Sequence, residues 1–339
     1  MKSKICIVYS HHKLGDLIWQ LPYIEAISDH HKEKIDLIVR SKTQAKKILQ
    51  DTNFIDSIFY NEFRKSFFYW VEVLKIFLLF KKNNYTHVYI LDKINRPAIA
   101  AYLARTRNII GLGIGNQKKW LTNTQHLTQV DKVFLDYSDQ SKKFLKLNNI
   151  KISHYAPRLV IKSETLKNIN FKTSILGQTS ICLGVDSFEE FKIWKEENFS
   201  ALADLMYMHK LANNFYLISD PSRKKYAKKI ISLSKNKIFT DCSHLELLGV
   251  IKVIKNSKFY IGNNSGPLNL AAALGVRSFG LIAADSTDEL KNSKIICITP
   301  ESYNKNDFTR DKIVRDRKNM DQLSVDRVFS SILSHFRNA

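Results

Sequence analysis

Strand-length apolar runs alternate with helical patterns along the chain, and this alternation restricts the fold more than any other feature. In the first half, strands are predicted at Ile5–Tyr9, Ile35–Val39, Ser57–Phe59, His87–Leu91 and Asn108–Ile110. The helices predicted between them are Asp16–Ser28, Thr43–Leu49, Phe63–Phe80 and Pro97–Ala104. Nearly continuous apolar strands separated by helices indicate a parallel sheet that is covered on both faces.

The second half repeats the pattern. Its predicted strands are Ile181–Val185, Phe215–Ile218, Lys237–Phe239, Phe259–Ile261 and Ser278–Ile282. Its predicted helices are Phe199–Leu211, Arg223–Leu233, His244–Ile254, Leu268–Leu274 and the amphipathic Ser324–Phe336. The polar segment Lys151–Gly177 lacks periodicity and is predicted to link the halves.

Because 339 residues are too many for one ordinary core, the chain is expected to form two domains. We predict an α/β protein of two Rossmann-like, doubly wound parallel-sheet domains, residues 1–160 and 161–323, that face each other across a cleft. The terminal helix in residues 324–339 is expected to pack back toward the first domain. Ligands of such sheets bind beyond the carboxyl ends of the strands.

The segment Phe259–Gly275, FYIGNNSGPLNLAAALG, carries the clearest binding signal. A short strand breaks at Gly262, passes through small polar residues and enters a helix at Pro267, a residue suited to a first helical position. Backbone N–H groups of Ser265 and Gly266 would point outward with the positive end of the helix dipole. This arrangement suits a diphosphate, although an ordinary strand–turn–helix corner would look the same.

Two other strand ends carry polar residues. After the first strand, Gly15 permits a tight turn and Asp16 falls near the N-cap of the next helix. Asp16 is interpreted either as a cap or as a general base. Lys192 follows the Ile181–Val185 strand and could reach a phosphate held at the Ser265–Pro267 turn. His11 and His12 lack partners at metal-ligand spacing, so no metal site is predicted.

The net charge is +21, which has two interpretations. One is a compositional bias toward lysine, and the other is attraction to an anionic lipid, membrane leaflet or nucleic acid. No nucleic-acid-reading motif is present, so no nucleic acid is expected as a partner. The aromatic, lysine-flanked helix within Phe63–Lys82 is interpreted either as packed against the first sheet or as a membrane-surface element. No signal peptide or membrane span is predicted, which indicates a cytoplasmic protein.

Five segments, in this order along the chain, resemble the ADP-heptose:lipopolysaccharide heptosyltransferase family, glycosyltransferase family 9. They are KLGDLIWQLPYIEAIS, THVYILDKINRPAIAAYLARTRNIIGL, KIWKEENFSALADLM, NNSGPLNLAAALGV and MDQLSVDRVFSSIL. The resemblance extends over nearly the whole chain. It implies the GT-B fold, in which two Rossmann-like domains face each other across a cleft.

The resemblance also implies roles for single residues. Asp16 matches the family's catalytic base, and Lys192 matches the lysine that neutralises the leaving diphosphate. Ser265 and Gly266, with Pro267 behind them, match the turn that holds the donor phosphates. The acceptor is expected near Gly15, His12, Lys118 and Lys119.

Two positions depart from the family pattern. Asn264 stands where the family usually has Asp, and Asn269 where it usually has His. Both changes remove an ionisable group but keep hydrogen-bonding capacity, so these residues are expected to contact the donor while its identity stays open.

The sequence therefore predicts an inverting, metal-independent transfer of a heptose or related sugar from a nucleotide-diphosphate donor, with ADP-heptose expected. The expected acceptor is an anionic glycolipid or lipopolysaccharide core at the cytoplasmic face of the inner membrane. No cofactor is expected besides the donor itself. Two alternatives stay open: a catalytically lapsed sugar-nucleotide-binding module of the same fold, and a nucleic-acid-binding protein suggested by charge alone.

Overall fold

The structure is a computed structural model that describes residues 3–64, 68–171, 179–308 and 318–336. The chain divides into two compact units, Met1–Val160 and Ile161–Ala339.

The first unit is built on a five-stranded parallel sheet with the strand order β3-β2-β1-β4-β5. Its strands are β1 (Ile5–Val8), β2 (Ile35–Val39), β3 (Ile55–Tyr60), β4 (His87–Ile90) and β5 (Asn108–Gly111). All five were predicted from the sequence, and the third is longer than predicted. Every residue of β1 and β2 is buried, as expected for central strands with helices on both faces.

The helices of the first unit are α1 (Leu14–His31), α2 (Ala45–Ile48), α3 (Tyr69–Asn83), α4 (Arg96–Leu103), α5 (Gln129–Phe134) and α6 (Tyr137–Leu147). The sequence patterns predicted the first four. The predicted helix Phe63–Phe80 begins later in the structure, at Tyr69, and residues 65–67 of that prediction lie outside the described residues. Helices α5 and α6 were missed because each contains few apolar residues.

Helix α3 is buried on one face only. Val73, Ile76 and Phe80 are at most 2% exposed and join the core. Trp70 and Leu74, in contrast, are 66% and 55% exposed. Packing against the sheet therefore accounts for only some of the apolar residues of this helix.

The second unit contains a six-stranded parallel sheet with the order β11-β10-β9-β6-β7-β8. Its strands are β6 (Ser180–Gly184), β7 (Asn214–Ile218), β8 (Phe239–Asp241), β9 (Phe259–Asn263), β10 (Ser278–Leu281) and β11 (Ile295–Ile298). The sequence predicted the first five. It missed β11, a strand of four residues at the sheet edge that is only partly buried.

The helices of the second unit are α7 (Ser163–Lys167), α8 (Glu196–Met208), α9 (Lys225–Leu233), α10 (Leu247–Lys255), α11 (Gly266–Ala273), α12 (Lys318–Asp321) and α13 (Val325–Phe336). Helix α7 lies within the predicted linker, and residues 172–178 of that linker lie outside the described residues. The buried face of α13, formed by Val328, Phe329 and Ile332, belongs to the core of this second unit. The expectation that the terminal helix packs back toward the first domain stays a prediction. Within the described ranges, no helix is long and apolar enough to cross a bilayer.

Candidate functional site

In the first unit, the loop between β1 and α1 carries Asp16. Helix α1 begins at Leu14 and its N-cap residue is Lys13, so Asp16 lies in the first turn and is not the cap that the sequence suggested. The Asp16 side chain is 30% exposed. A carboxylate in this position is stabilised by the positive end of the helix dipole and still reaches solvent.

His11 lies between two carboxylates. Its Nδ1 is 3.7 Å from Asp16 Oδ2, and its Nε2 is 3.9 Å from Asp92 Oδ2. The imidazole ring stacks on Tyr9 with a centroid distance of 4.9 Å and meets the edge of Tyr137 at 4.3 Å. Each ring nitrogen of this histidine therefore faces a different acidic side chain.

Asp92 follows β4, which pairs with β1 in the sheet. Its carboxylate is buried and accepts hydrogen bonds from Ser10 Oγ and from the Lys93 backbone N–H, the latter at 2.6 Å. The order of the strands reverses between β1 and β4, and such a switch point is where doubly wound sheets bind ligands. Sequence reasoning missed Asp92, although it directly follows an apolar strand.

The expected acceptor residues lie in the same unit. His12 is exposed, and Gly15 is buried in the first turn of α1. Lys118 and Lys119 are exposed on the 3-10 helix Gly115–Trp120.

The buried Gln117 side chain fixes that 3-10 helix to the loop after β4. Its Nε2 donates to the carbonyl oxygens of Asp92 and Ile94 at 2.7 and 2.8 Å, and its Oε1 accepts from the Gly113 N–H at 2.9 Å. The lysine pair is thus carried on a segment anchored to the Asp92 loop.

In the second unit, two glycines pair at the carboxyl ends of the central strands. Gly184 of β6 and Gly262 of β9 are register partners at the point where the strand order reverses. A Cβ on Gly262 would lie 2.7 Å from the Gly184 carbonyl oxygen, and a Cβ on Gly184 would meet the Tyr260 hydroxyl at 1.7 Å. Only glycine fits at these positions, so the backbone itself lines this edge of the sheet.

Helix α11 begins directly after β9. Ser265 is its N-cap residue, and no side chain caps the helix. Pro267 is the second helical residue, one position later than the sequence predicted. The first turn of an α-helix has N–H groups without partners in the helix, and the dipole makes that end positive.

Buried polar atoms surround this turn. Asn263 Nδ2 and Asn269 Oδ1 are buried without hydrogen-bond partners. The Ser265 and Tyr260 hydroxyls are buried next to each other without a hydrogen bond of normal geometry. Because most buried polar atoms in proteins are paired, this group of orphaned atoms indicates a ligand site at the start of α11.

Lys192 belongs to the 3-10 helix Glu190–Lys192. Its ammonium lies 2.6 Å from Glu189 Oε2 and 2.8 Å from Asp285 Oδ2, and its side chain is 14% exposed. Burial alone would lower the pKa of Lys192, but Asp285 and Glu189 together raise it above its ordinary value. Lys192 is therefore a cation that two carboxylates hold in place, and not a solvated surface lysine.

The segment after Lys192 is anchored to β9. The Trp194 backbone N–H donates to Asn263 Oδ1 at 2.9 Å, and its indole Nε1 donates to the Leu323 carbonyl at 2.7 Å. Trp194 is fully buried. These bonds fix the backbone beside Lys192 to the strand that leads into the α11 turn.

Asp285 follows β10 and was not predicted from the sequence. Its Oδ2 accepts a hydrogen bond from Asn264 Nδ2 at 3.0 Å. Asn264, Lys192 and Asp285 thus form one connected group at the carboxyl edge of the second sheet. The only sequence signal for Asp285 is its position shortly after a predicted strand.

No group of three or more His, Cys, Asp and Glu side chains that could hold a metal ion occurs in the part of the chain that the structure describes.

Another carboxylate of the second unit, that of Asp186, accepts a hydrogen bond from the Asp220 backbone N–H at 2.8 Å. Burial raises the pKa of Asp186.

Comparison with protein families gives one match. The model of "Glycosyltransferase family 9 (heptosyltransferase)" matches residues 75–316, which is more than half of the chain. The search of curated protein sequences gives no match to this chain.

Solved structures give further matches at low identity. A glycosyl transferase family 9 protein from Veillonella parvula matches with a TM-score of 0.79 and 15% identity, covering 100% of this chain and 99% of its own. E. coli ADP-heptose lps heptosyltransferase II matches with a TM-score of 0.75 and 14% identity over 98% of each chain.

E. coli heptosyltransferase WaaC, solved with ADP-2-deoxy-2-fluoro heptose, matches with a TM-score of 0.71 and 16% identity, covering 98% of this chain and 99% of its own. These likenesses show the fold. The predicted α/β class with two parallel sheets is confirmed, and it is the GT-B class of the heptosyltransferase structures.

Proposed function

This chain belongs to glycosyltransferase family 9, and from that membership we propose that it transfers a sugar from a nucleotide-diphosphate donor to a glycan hydroxyl. The proposed donor is ADP-heptose, because WaaC was solved with ADP and with an ADP-heptose analogue. The proposed acceptor is an anionic lipopolysaccharide-type core or another surface glycan. Nucleic acid is not among the proposed partners.

The observation that carries this proposal is the group of residues at the start of α11. An uncapped helix N-terminus, buried orphaned polar atoms and the held Lys192 ammonium lie at one edge of the second sheet. A diphosphate bound there would accept hydrogen bonds from the N–H groups around Ser265 and Gly266 and would be neutralised by Lys192. Asn264 and Asn269 would offer amide groups to the donor.

Asp16 is proposed as the general base. Its carboxylate would take the proton from the acceptor hydroxyl while that oxygen attacks the anomeric carbon. The bond from the anomeric carbon to the diphosphate breaks, and its electron pair leaves with the phosphate oxygen. A single displacement of this kind inverts the anomeric configuration.

Stabilisation of the leaving diphosphate is assigned to fixed protein groups. The α11 N-terminus and Lys192 are preorganised positive groups aimed at the oxygen where negative charge develops. We therefore propose a metal-independent reaction that needs no cofactor besides the donor. A reaction rate that is unaffected by chelators and by added divalent ions would support this assignment, and a requirement for a divalent ion would contradict it.

We propose that residues 1–160 bind the acceptor and that residues 161–323 bind the donor. The acceptor contacts would come from Gly15, His12, Lys118 and Lys119. The two lysines are exposed, which suits an anionic acceptor.

A surface for membrane contact is proposed on α3. Its exposed apolar residues Trp70, Leu74 and Leu78 follow helical spacing and are each at least 55% exposed. The exposed Lys75, Lys81 and Lys82 lie on the same helix, and such a combination binds anionic lipid surfaces. We propose peripheral attachment to the cytoplasmic face of the inner membrane, which co-sedimentation with anionic against neutral vesicles tests directly.

The experiment that tests the proposed function is a thermal-shift panel of nucleoside diphosphates and nucleotide sugars, followed by a transfer assay with the best ligand. ADP and ADP-heptose are expected to raise the melting temperature more than their guanosine and uridine counterparts. Binding without any transfer would favour the lapsed binding module, which the uncharged Asn264 and Asn269 suggest. Stabilisation by none of these ligands would contradict the proposal.

A further inference from the structure

We infer that Asp285 competes with the donor diphosphate for the Lys192 ammonium and thereby sets how tightly the diphosphate product is held. This inference rests on the proposed function and concerns the same site. It assigns Asp285 a role in specificity and product release that does not require contact with the reacting atoms.

The Lys192 ammonium is already engaged in the free protein. An ammonium has three N–H donors, and two carboxylate oxygens, of Glu189 and Asp285, lie within 2.6 and 2.8 Å of Nζ. A diphosphate that binds at the α11 turn therefore has to share this cation with two carboxylates or replace one of them.

Asp285 is the better placed of the two competitors. Its side chain is 14% exposed, whereas that of Glu189 is 29% exposed. An ion pair that is shielded from solvent is screened less by water and salt, so Asp285 should have the larger effect on a bound anion.

Hydrogen bonds hold both the side chain and the backbone of Asp285. Asn264 Nδ2 donates to its Oδ2 at 3.0 Å. The Tyr303 hydroxyl donates to the Asp285 carbonyl at 2.8 Å and accepts the Thr287 N–H at 2.9 Å. These hydrogen bonds place the carboxylate beside the proposed phosphate site in the free protein.

The reaction increases the negative charge next to this carboxylate. Both phosphates of a nucleotide-sugar donor are esterified, but cleavage at the anomeric carbon leaves a terminal phosphate that gains negative charge near neutral pH. Repulsion by Asp285 thus acts more strongly on the product than on the donor. Asp285 would favour product release over donor release.

The test is calorimetric titration of ADP and of inorganic pyrophosphate into the wild type, Asp285→Asn, Lys192→Ala and the double variant. The amide introduced by Asp285→Asn keeps an oxygen that can accept from Asn264 but removes the charge. We expect Asp285→Asn to lower the Kd for ADP about fivefold to tenfold, the usual size of one removed like charge at a partly shielded site, with a smaller change for a non-hydrolysable donor analogue.

Lys192 should account for part of this effect. In the Lys192→Ala background, Asp285→Asn should increase the ADP affinity less than in the wild type, because only direct repulsion remains once the ammonium is gone. Glu189→Gln is the matched control, and its effect should be smaller because Glu189 is more exposed. Asp285→Ser provides a second removal of the charge if the asparagine variant unfolds.

Unchanged or weaker ADP binding in both Asp285 variants, or an equal gain with and without Lys192, would overturn the inference. Failure of the wild type to bind either ADP or pyrophosphate would instead overturn the proposed donor site, and the inference with it. The two failures are therefore distinguished by the wild-type titration alone.

Discussion

The loop after β1 and the turn after β9 both follow central strands at the carboxyl edge of their sheets but lie beside different chemical groups. In the first unit, two carboxylates, Asp16 and Asp92, flank the His11 ring. In the second unit, two carboxylates flank a cation, Lys192, beside buried amide atoms without partners. Both loops follow a central strand at the point where the strand order reverses.

The same architecture can thus serve two chemical tasks, proton acceptance and anion binding. A partly exposed carboxylate beside an imidazole can accept a proton. A helix N-terminus beside a held ammonium can accept an anion. Variants of each region test whether the two regions divide these tasks.

Asp16→Asn should remove catalysis and leave donor binding intact. We expect kcat to fall about a thousandfold, within the range for loss of a general base, while the Kd for ADP changes less than about twofold. Steady-state transfer kinetics and calorimetry with the same preparation measure both. If the ADP affinity falls together with kcat, the division of tasks between the two regions is wrong.

Lys192→Ala, a change in the second region, should weaken both catalysis and ADP binding. We expect kcat/KM to fall about a hundredfold, since one electrostatic contact to the leaving group is lost, and the Kd for ADP to rise. Lys195→Ala is a matched control, because Lys195 pairs with Asp321 on the surface at 3.0 Å and is 45% exposed. Equal losses in the two variants would show that only overall charge matters.

His11→Phe tests whether the imidazole supports Asp16. Phenylalanine keeps an aromatic ring against Tyr9 but removes both nitrogens that face the carboxylates. We expect kcat to fall about tenfold, less than for loss of the base itself, while the donor KM stays within about twofold. His30→Phe, at the exposed far end of α1, should leave kcat nearly unchanged; a matching loss there would remove the case for His11.

The smallest effect is expected at the opposite edge of the first sheet. Burial, reinforced by His87 and His30, lowers the pKa of His31 to about 4. The unfolded chain therefore binds more protons between pH 6.5 and 4, so the free energy of unfolding falls as the pH falls through this window.

His31→Gln can retain the hydrogen bond that His31 makes to the Tyr89 hydroxyl at 2.8 Å while removing this titration. We expect the variant to lose about 1 kcal/mol less stability than the wild type between pH 6.5 and 4. Urea unfolding at both pH values measures the difference. Equal losses would place the pH dependence elsewhere, including at the carboxylates of the first region.

The sequence predicted most of the strands because buried parallel strands are nearly continuous apolar runs. It missed β11, which is short, lies at the sheet edge and is only partly buried. It missed α6 because the pattern YSDQSKKFLKL contains few apolar residues. The α13 sequence showed its apolar face but not which core would receive that face.

The sequence predicted only some of the residues of the two candidate regions. Asp16, Lys192 and the Ser265 turn follow predicted strands and could be named. Asp92 and Asp285 could not, because their roles come from contacts between loops that follow different strands and lie far apart along the chain. Such pairs depend on strand order, which periodicity does not encode.

The most direct test of the account is a crystal structure of the protein with ADP. We expect the β-phosphate within hydrogen-bond distance of the Ser265–Gly266 backbone and of the Lys192 ammonium, with the first unit's Asp16 free of nucleotide contacts. A diphosphate bound at another edge of the second sheet, or at the His11 loop of the first unit, would contradict the division of tasks proposed for the two regions.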